Sequence, residues 1–394
     1  MHGGKAMKVI GMISGTSYDG IDVACCEFTQ SGDELSLKQH GFISLEYTNE
    51  LHDMIAESMP PRSVDFERVC ILDTYIGQAF AKSAQSAMDK FNFTPDLIVS
   101  HGQTLFHWID ASHKAKGTLQ LGEASWIAEM TGAPVLSHTR NRDVAAGGHG
   151  APLVSILDQL LFGHAPTPQG ALNLGGISNI TVASASMDPI AYDIGPANGL
   201  LDAAIFAATN GAKSYDHNGE VAASGDVDKA MLAKLLDEPY YKLSAPKSTG
   251  KELFHLNYLI EKLGPVASWN LPTVMATLLE LTVETVAIEV EKFGLTKLYM
   301  AGGGSANPVM MKRFAERLAP CEVESMSALG IDPRAKEGIT FAIIGYLSAH
   351  GLPGQVPSAT GASGERILGS FTPGRGPLVL PTPATVAPKR IKVI

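Results

Sequence analysis

Positive charge is scarce in this 394-residue chain: 30 lysines and arginines stand against 40 aspartates and glutamates, for a formal net charge of −10 at pH 7. A nucleic-acid-binding protein usually presents a basic face, and no run of lysine and arginine here is long enough to form one. The one basic cluster, Lys389, Arg390 and Lys392, fits a solvated C-terminal tail. The charge balance argues against a nucleic-acid partner.

Cysteine is scarce too, and the four present, Cys25, Cys26, Cys70 and Cys321, lack the spacing of a metal site. Cys25 and Cys26 are adjacent in an apolar run, which predicts buried free thiols. No long apolar run follows the first residues, so we expect neither a secretory signal nor a membrane span. These features predict a cytoplasmic protein with no membrane partner.

The common nucleotide motifs are missing as well. The sequence contains neither GxxxxGK[ST] nor GxGxxG, which argues against a P-loop or a dinucleotide-binding site. The 40 glycines cluster at turns between apolar runs. Backbone N–H groups in such turns can form a nest for phosphate, and glycine turns can equally just turn the chain. Gly15–Gly20 and Gly175–Asn179 are two candidate nests at matching places in the two halves of the chain.

The hydrophobic pattern predicts an α/β protein whose two halves repeat one topology. In the first half we expect strands at 8–14, 21–28 and 35–45, a helix at 65–92, a strand at 97–100, a helix at 122–130 and a strand at 134–137. In the second half we expect strands at 171–174, 180–183 and 190–194, helices at 199–209 and 271–293, a strand at 297–301, a helix at 307–318, a strand at 322–325 and a helix at 332–350. Two such halves facing each other would form a cleft for a small ligand, whereas coincidence of strand and turn patterns is the plainer alternative.

Three carboxylates stand beside predicted turns. Asp19 and Asp22 flank the first glycine turn, and Asp193 precedes Gly195 and Pro196 near a strand end. Magnesium bound with a nucleotide needs one or two carboxylates, and a phosphoryl acceptor needs a base. For Asp193, a magnesium ligand, a catalytic base and a cap of the following helix remain open.

Arg142 and Asp143 precede a glycine-rich segment, where they could hold a substrate carboxylate and substrate hydroxyls, or form a surface ion pair. His101, His107 and His113 recur at steps of six residues. That spacing does not bring side chains together on a helix or a strand, so core or surface histidines are expected rather than a metal site.

Eight short motifs occur along the chain in this order: SGTSYDGID, HGQT, RDVAAGGHGAPLV, NLGGISNIT, YDIGPAN, PKSTGKELF, AGGGSANP and GIDPRAKE. Together they closely resemble the anhydro-N-acetylmuramic acid kinases of bacterial cell-wall recycling, over about Val9 to Pro373. The resemblance implies two duplicated actin-like ATPase (ribonuclease H-like) domains across a cleft. The first would span 1–137 with 352–394 packing back on it, and the second 138–351.

The resemblance also implies a reaction. ATP and water would convert 1,6-anhydro-N-acetylmuramic acid into N-acetylmuramic acid 6-phosphate and ADP, with Asp193 activating the water. The implied nucleotide-binding residues are Gly15, Thr16, Ser17, Tyr18, Asp19, Gly20, Asp22, Asn173, Gly175, Gly176, Gly302, Gly303, Gly304 and Asn307. Mg²⁺ would be held by Asp19 and Asp22, through water. The implied sugar-binding residues are His101, Gln103, Thr104, Arg142, Asp143 and Glu337.

The implied partners are a small amino sugar and ATP, and a homodimer is left open. The chain departs from the family pattern at Tyr18, His149 and Ala197, which affects the expected substrate affinity more than the reaction class. A kinase of this fold for another sugar or a carboxylate is the alternative, and a nucleotide-dependent sugar sensor is a more distant one.

Overall fold

The computed structural model describes residues 6–15, 18, 20–112, 114–245, 247–250 and 253–394. It divides the chain into two compact units by internal contacts. Unit 1 comprises Met1–His164 and Ala335–Ile394, and unit 2 comprises Ala165–Arg334. The expected boundaries lay at 137/138 and 351/352, so the structure assigns 138–164 and 335–351 to unit 1 instead.

The strands within the described residues are β1 (Met7–Ser14), β2 (Gly20–Ser31), β3 (Glu34–Glu46), β4 (Leu97–Ile109), β5 (Ala115–Leu121), β6 (Val135–Ser137), β7 (Gln169–Leu174), β8 (Ile177–Ser184), β9 (Met187–Pro196), β10 (Lys297–Ala301), β11 (Glu322–Ser325), β12 (Ser370–Thr372) and β13 (Arg390–Val393). The α-helices are α1 (Asn49–Ala56), α2 (Phe66–Phe91), α3 (Ala124–Thr131), α4 (Asn141–Ala145), α5 (Ser155–Phe162), α6 (Asn198–Ala208), α7 (Glu220–Ala223), α8 (Lys229–Leu236), α9 (Leu256–Leu263), α10 (Leu271–Phe293), α11 (Pro308–Leu318), α12 (Lys336–Ala349) and α13 (Pro357–Thr360). Short 3₁₀ helices lie at His217–Gly219, Pro239–Lys242, Val266–Ser268, Gly303–Ala306 and Met326–Leu329.

The sheet of unit 1 has the order β12-β6-β4-β1-β2-β3-β13, with β5 paired to β4. Strands β1, β2 and β3 form an antiparallel meander, while β4 runs parallel to β1 and β6 parallel to β4. The C-terminal segment belongs to this unit, because β12 pairs with β6 and β13 pairs with β3. On one face, α2 buries Ile76 and Phe80 against the meander.

The sheet of unit 2 has the order β11-β10-β7-β8-β9. Strands β7, β8 and β9 form an antiparallel meander, β10 runs parallel to β7, and β11 runs parallel to β10. This is the order and direction of β6-β4-β1-β2-β3 in unit 1. The expected duplicated α/β architecture of actin-like type is confirmed.

Helix α10 is long and apolar enough to cross a membrane by length and composition alone. However, 72% of its apolar window is buried, and residues such as Leu278 and Val286 belong to the unit 2 core. This burial is typical of the central helix of a globular unit.

Helix α12 lies directly on β1 because two glycines meet there. A β-carbon at Gly11 would overlap the carbonyl oxygen of Gly338 in α12. The close approach carries the first turn of α12, with Glu337, to the middle of the unit 1 sheet. The helix begins at Lys336 rather than at the expected residue 332, since residues 332–335 form a turn in which Asp332 accepts the N–H of Arg334.

The structure corrects the predicted end of one strand and confirms the predicted burial of two cysteines. The strand expected at 97–100 is longer in the structure, where β4 continues through the HGQT motif to Ile109 because β5 pairs with it. Cys25 and Cys26 are buried free thiols, as predicted, and burial raises the pKa of Cys25 to about 12.

Candidate active site

The second glycine turn is a two-residue connection, Gly175–Gly176, between β7 and β8. The carbonyl of Gly175 accepts the N–H of Asn198 at 3.0 Å, and the carbonyl of Gly176 accepts those of Ala197 and Gly199 at 3.0 Å. These bonds satisfy the first N–H groups of α6. Because a trans peptide directs its N–H opposite to its carbonyl, the N–H of Gly176 points away from α6.

Three further glycines, Gly302 to Gly304, follow β10, and two of them pack on the end of β7. Gly302 has φ of 79°, and a β-carbon there would overlap Asn173 Oδ1. A β-carbon at Gly304 would lie 2.7 Å from the β-carbon of Leu174. Gly303 differs, because a β-carbon there would meet nothing within 4 Å. Gly175 also has room for a side chain, because a β-carbon there would lie 3.6 Å from its nearest neighbouring atom, an ordinary contact distance.

The fold therefore brings together the predicted nucleotide residues Asn173, Gly175 and Gly176 with the 302–304 turn. The protein itself requires glycine at 302 and 304, and does not require it at 175 or 303. Asn307 has a structural role, because it caps α11, where its Oδ1 accepts the N–H groups of Val309 and Met310. Its contact with nucleotide remains a prediction.

Asp193 lies in β9, next to an irregularity in the sheet. Asn179 pairs with Asp193, and the preceding Ser178 pairs with Gly195, so Ile194 is an extra residue on β9. Such bulges redirect neighbouring side chains. The carboxylate Oδ2 of Asp193 accepts the Ser248 hydroxyl at 2.7 Å and the Thr249 N–H at 3.1 Å.

The interpretation of Asp193 as a helix cap is wrong. Helix α6 begins after Ala197 without a side-chain cap, because carbonyls of the Gly175–Gly176 turn satisfy its first N–H groups. The roles of base and of magnesium ligand both remain open for Asp193.

The segment that contacts Asp193 is itself anchored to the unit 2 core. The backbone N–H of Asp193 donates to Lys247 O, and the Tyr240 hydroxyl donates to Asp193 O at 2.8 Å. Tyr241 packs so closely on Gly195 that a β-carbon there would lie 2.8 Å from its ring. Its other neighbour is the buried Phe254, on which it stacks. The backbone around Asp193 is thus held on both sides of the side chain.

In unit 1, the first glycine turn is tied to β4. The Ser14 hydroxyl donates to Gln103 Oε1 at 2.5 Å, and Gln103 Nε2 donates to Gly15 O at 3.1 Å. Tyr18 has φ of 47°, and a β-carbon at Gly20 would overlap Leu45 O. The predicted residues Thr16, Ser17 and Asp19 lie outside the described residues, as does His113.

The buried His101 forms a polar pair with Arg140, which is partly exposed. Arg140 Nε donates to His101 Nε2 at 2.7 Å, and its Nη1 donates to Gly150 O at 2.6 Å. His101 Nε2 is therefore an acceptor, and its Nδ1–H donates to Gly102 O at 2.9 Å. Burial and the Arg140 charge lower the pKa of His101, which keeps this imidazole neutral. Burial also lowers the pKa of Arg140 to about 10.

Glu337 shares the electrostatic field of Arg140. Burial raises the pKa of Glu337, the Asp22 charge raises it further, and Arg140 and Lys336 oppose the rise. Glu337 and Arg140 interact without forming an ion pair within 4 Å. The neighbouring Lys336 is committed elsewhere, to a buried ion pair with Asp158 of α5 at 2.8 Å. That pair fixes the start of α12 and with it the position of Glu337.

The other predicted sugar-binding residues differ in how exposed they are and in their hydrogen bonds. Arg142 is exposed on α4. Asp143 is fully buried, where its Oδ2 accepts the Gly150 N–H and its Oδ1 accepts the Thr360 hydroxyl, both at 2.7 Å. Thr104 Oγ1 accepts from Gln120 at 3.1 Å. Asp143 thus shapes the 147–150 loop, and a direct contact with sugar remains a prediction.

Within the part of the chain that the structure describes, no group of three or more His, Cys, Asp or Glu side chains could hold a metal ion. A nucleotide-bound Mg²⁺ needs fewer carboxylates, because phosphate and water supply its other ligands. Asp22, in β2 and partly exposed, fits that requirement.

Two residues gain significance only from the structure. In the sequence, Arg140 stands two positions before Arg142, and Ser248 is the serine of the PKSTG motif. Nothing local in the sequence indicates that Arg140 pairs with His101 or that Ser248 reaches Asp193, because both contacts are made between residues distant in the chain.

The duplicated strand order is that of the actin-like ATPase fold, which sugar kinases share. Within that class, residues 7–374 match the family described as anhydro-N-acetylmuramic acid kinase. The chain belongs to this family.

Two relatives are similar over nearly the whole chain. One, named anhydro-N-acetylmuramic acid kinase, is from Streptomyces coelicolor and is 47% identical over 98% of this chain and 99% of its own. The other has the same name, is from Rhodococcus erythropolis, and is 45% identical over 98% of this chain and 99% of its own. Among solved structures, the activator of the 2-hydroxyisocaproyl-CoA dehydratase from Clostridium difficile with bound ADPNP is similar over 86% of this chain and 93% of its own. Its sequence identity is 10% and its TM-score is 0.41.

Proposed function

We propose that this protein is an ATP-dependent kinase that hydrolyses the 1,6-anhydro bond of 1,6-anhydro-N-acetylmuramic acid and phosphorylates O6. The products are N-acetylmuramic acid 6-phosphate and ADP. The proposal rests on membership of the family, on the names of the two relatives, and above all on the setting of Asp193. We place the reaction in the cytoplasm, in the recycling of cell-wall amino sugars.

The main support for this proposal is that residues outside β9 hold the carboxylate of Asp193. Ser248 and Thr249 donate to one oxygen of Asp193, and Lys247 and Tyr240 bond its backbone. Donors of this kind favour the charged form of a carboxylate, which is the form that a general base needs. Asp193 would take a proton from water as the water oxygen attacks C1 of the sugar.

The remaining bond changes follow from that attack. The C1–O6 bond breaks, and O6 leaves with its electron pair and attacks the γ-phosphorus of ATP. The bond from that phosphorus to the β,γ-bridging oxygen then breaks, and ADP departs. Water thus supplies the new hydroxyl at C1, and ATP supplies the phosphoryl group on O6.

For the phosphates, we assign the backbone of the Gly175–Gly176 and Gly302–Gly304 turns in unit 2 and the Gly15–Gly20 turn in unit 1. The reason is that Gly175 and Gly303 lack neighbours that would demand glycine, so the close approach of a ligand is the remaining physical reason for their small size. Mg²⁺ would neutralise charge on the phosphates, with Asp22 as a described residue able to hold it through water.

For the sugar, we assign Arg140, His101 and Glu337. The guanidinium of Arg140 suits the lactyl carboxylate, since Arg140 has no salt bridge within 4 Å to another described residue. A carboxyl whose pKa is raised, as that of Glu337 is, can donate a hydrogen bond to a sugar oxygen. Neutral His101 orients Arg140 without repelling it.

The test is a substrate panel. With Mg-ATP, the protein should release ADP with 1,6-anhydro-N-acetylmuramic acid, and mass spectrometry should identify N-acetylmuramic acid 6-phosphate. N-acetylmuramic acid, glucose and acetate are the comparison substrates, and each should be turned over at least about 100-fold less efficiently. Preferred turnover of one of them would replace the anhydro sugar as the substrate and favour another kinase of the same fold.

A further inference from the structure

A segment with the described residues 240–245 and 247–249 reaches from the unit 2 core to the carboxylate of Asp193. Tyr240 and Tyr241 anchor one end of it among buried aromatic rings, and the other end supplies the hydroxyl of Ser248 and the N–H of Thr249. Ser248 is exposed, and its side chain makes no contribution to the apolar core. Its contact with Asp193 Oδ2, at 2.7 Å, is the short distance typical of a hydrogen bond to a charged oxygen.

We propose that Ser248 is a positioning residue for Asp193: together with the Thr249 N–H, its hydroxyl fixes the rotation of the carboxylate and favours its charged form. The inference deepens the proposed function and rests on it, because it assumes that Asp193 acts as a base. It assigns a role to the PKSTG segment that the position of the segment in the sequence does not reveal.

Geometry supports a positioning role over a packing role. A carboxylate at the end of two single bonds can rotate, and two donors on one oxygen remove that freedom. The donors come from residues 55 and 56 positions away, so the strand β9 cannot supply them itself. Gly195 serves the same arrangement, because only a glycine lets the Tyr241 ring approach β9 so closely.

Among the described residues of the packed elements, Lys247, Glu289 and Lys292 are titratable groups with hydrogen bonds to other partners. Lys247 Nζ donates to the carbonyls of Tyr240 and Tyr241, at 3.3 and 3.4 Å. On the neighbouring helix α10, Glu289 accepts the Tyr192 hydroxyl and pairs with Lys292 at 2.9 Å. A change at Ser248 removes none of these hydrogen bonds.

The experiment compares Ser248→Ala with Ser248→Thr, which keeps the hydroxyl, and with Ser244→Ala, an exposed serine on the same segment. In Ser248→Ala, the acid limb of the kcat against pH profile should move up by about one pH unit, because a donor to the charged form is lost. On the alkaline plateau, kcat should fall about tenfold with little change in KM. Both comparison variants should behave like the unmodified protein.

A second readout needs no turnover. In protein labelled with ¹³C-aspartate, the side-chain signal of Asp193 is identified by its loss in Asp193→Asn. Its titration midpoint should rise in Ser248→Ala and not in Ser244→Ala.

Two results would overturn the inference while the proposed function stands: an unchanged midpoint and pH profile in Ser248→Ala, or an equal loss of rate at every pH. If the unmodified protein fails to turn over the anhydro sugar, the proposed function fails. The ¹³C titration then decides by itself whether Ser248 favours the charged carboxylate.

Discussion

Replacing Asp193 by asparagine is the most informative single change in this protein. The amide has nearly the size of the carboxylate, and its oxygen can still accept from Ser248 and Thr249. The segment from Tyr240 to Thr249 should therefore stay in place. What the variant loses is the ability to take a proton from water.

The structure bounds the cost to stability. Two hydrogen bonds to a charged oxygen become hydrogen bonds to a neutral one, a loss of about 1 kcal/mol each at most. Asp193 is partly exposed, so solvent reduces the effect further. The melting temperature should fall by roughly 5 °C or less for a unit of this size.

The cost to catalysis should be much larger. General-base catalysis is worth about 10²–10⁴-fold, or roughly 3–5.5 kcal/mol of activation free energy. The loss should reach the upper part of that range, because ring opening and phosphoryl transfer depend on the same proton removal. Single-turnover rates by rapid quench, with calorimetric affinities for sugar and for Mg-nucleotide, measure the two effects separately.

The affinities separate the two remaining roles of Asp193. A base can be lost with sugar and nucleotide still bound, whereas loss of a magnesium ligand should weaken Mg-nucleotide binding as well as the rate. A rate reduced by much less than about 100-fold, with normal affinities, would refute the assignment of Asp193 as the base.

Five further substitutions test the glycine turn, the two arginines and Glu337. Gly303→Ala should leave the melting temperature unchanged, since its β-carbon meets nothing within 4 Å, yet weaken binding of an ATP analogue by about tenfold or more in calorimetry. Gly302→Ala, at φ of 79°, should instead cost at least about 1 kcal/mol of unfolding free energy. In steady-state kinetics, Arg140→Gln should raise KM for the carboxylate-bearing sugar by about 10–100-fold. Arg142 is exposed, so Arg142→Ala should change KM less than about twofold. A larger effect on KM from Arg142→Ala than from Arg140→Gln would favour Arg142 as the sugar-binding residue. For Glu337, the raised pKa means that the native state keeps a proton that the unfolded chain has released, so unfolding free energy is lost as pH rises from about 4.3 through the folded pKa. Glu337→Gln removes this loss, and its melting temperature relative to the unmodified protein should rise between pH 4 and pH 8; a difference independent of pH would contradict the shift.

The sequence allowed the topology to be predicted because the signals for it are local. Alternation in β1 to β3 and in β7 to β9, with glycine at the turns, indicates two meanders. Helix α10 was predicted with its observed bounds, since it has an asparagine cap at Asn270 and a left-handed glycine at Gly294.

The rest depends on contacts between distant residues. The continuation of β4 beyond residue 100 requires its partner β5, which lies after an intervening turn. The unit boundary could not be read locally either, since α12 belongs to unit 1 through a backbone contact between Gly338 and Gly11.

The different surroundings of Arg140 and Arg142 have a simple geometric reason. Arg140 and Arg142 flank the start of α4, and a separation of two residues turns side chains by about 200°. One of them must therefore face the protein and the other the solvent, and sequence alone does not say which. The position of His101 decides it, 39 residues earlier in the chain.

The path of oxygen through the reaction shows whether water attacks C1 of the sugar. The protein is incubated with Mg-ATP and 1,6-anhydro-N-acetylmuramic acid in ¹⁸O-water, quenched early, and its products are fragmented by mass spectrometry. We predict one ¹⁸O atom in the N-acetylmuramic acid 6-phosphate, at the C1 hydroxyl, and none in its phosphate or in ADP. Unlabelled product incubated in the same water for the same time corrects for exchange at C1. Sugar phosphate without label at C1, or ¹⁸O in free phosphate with the anhydro sugar intact, would contradict the account.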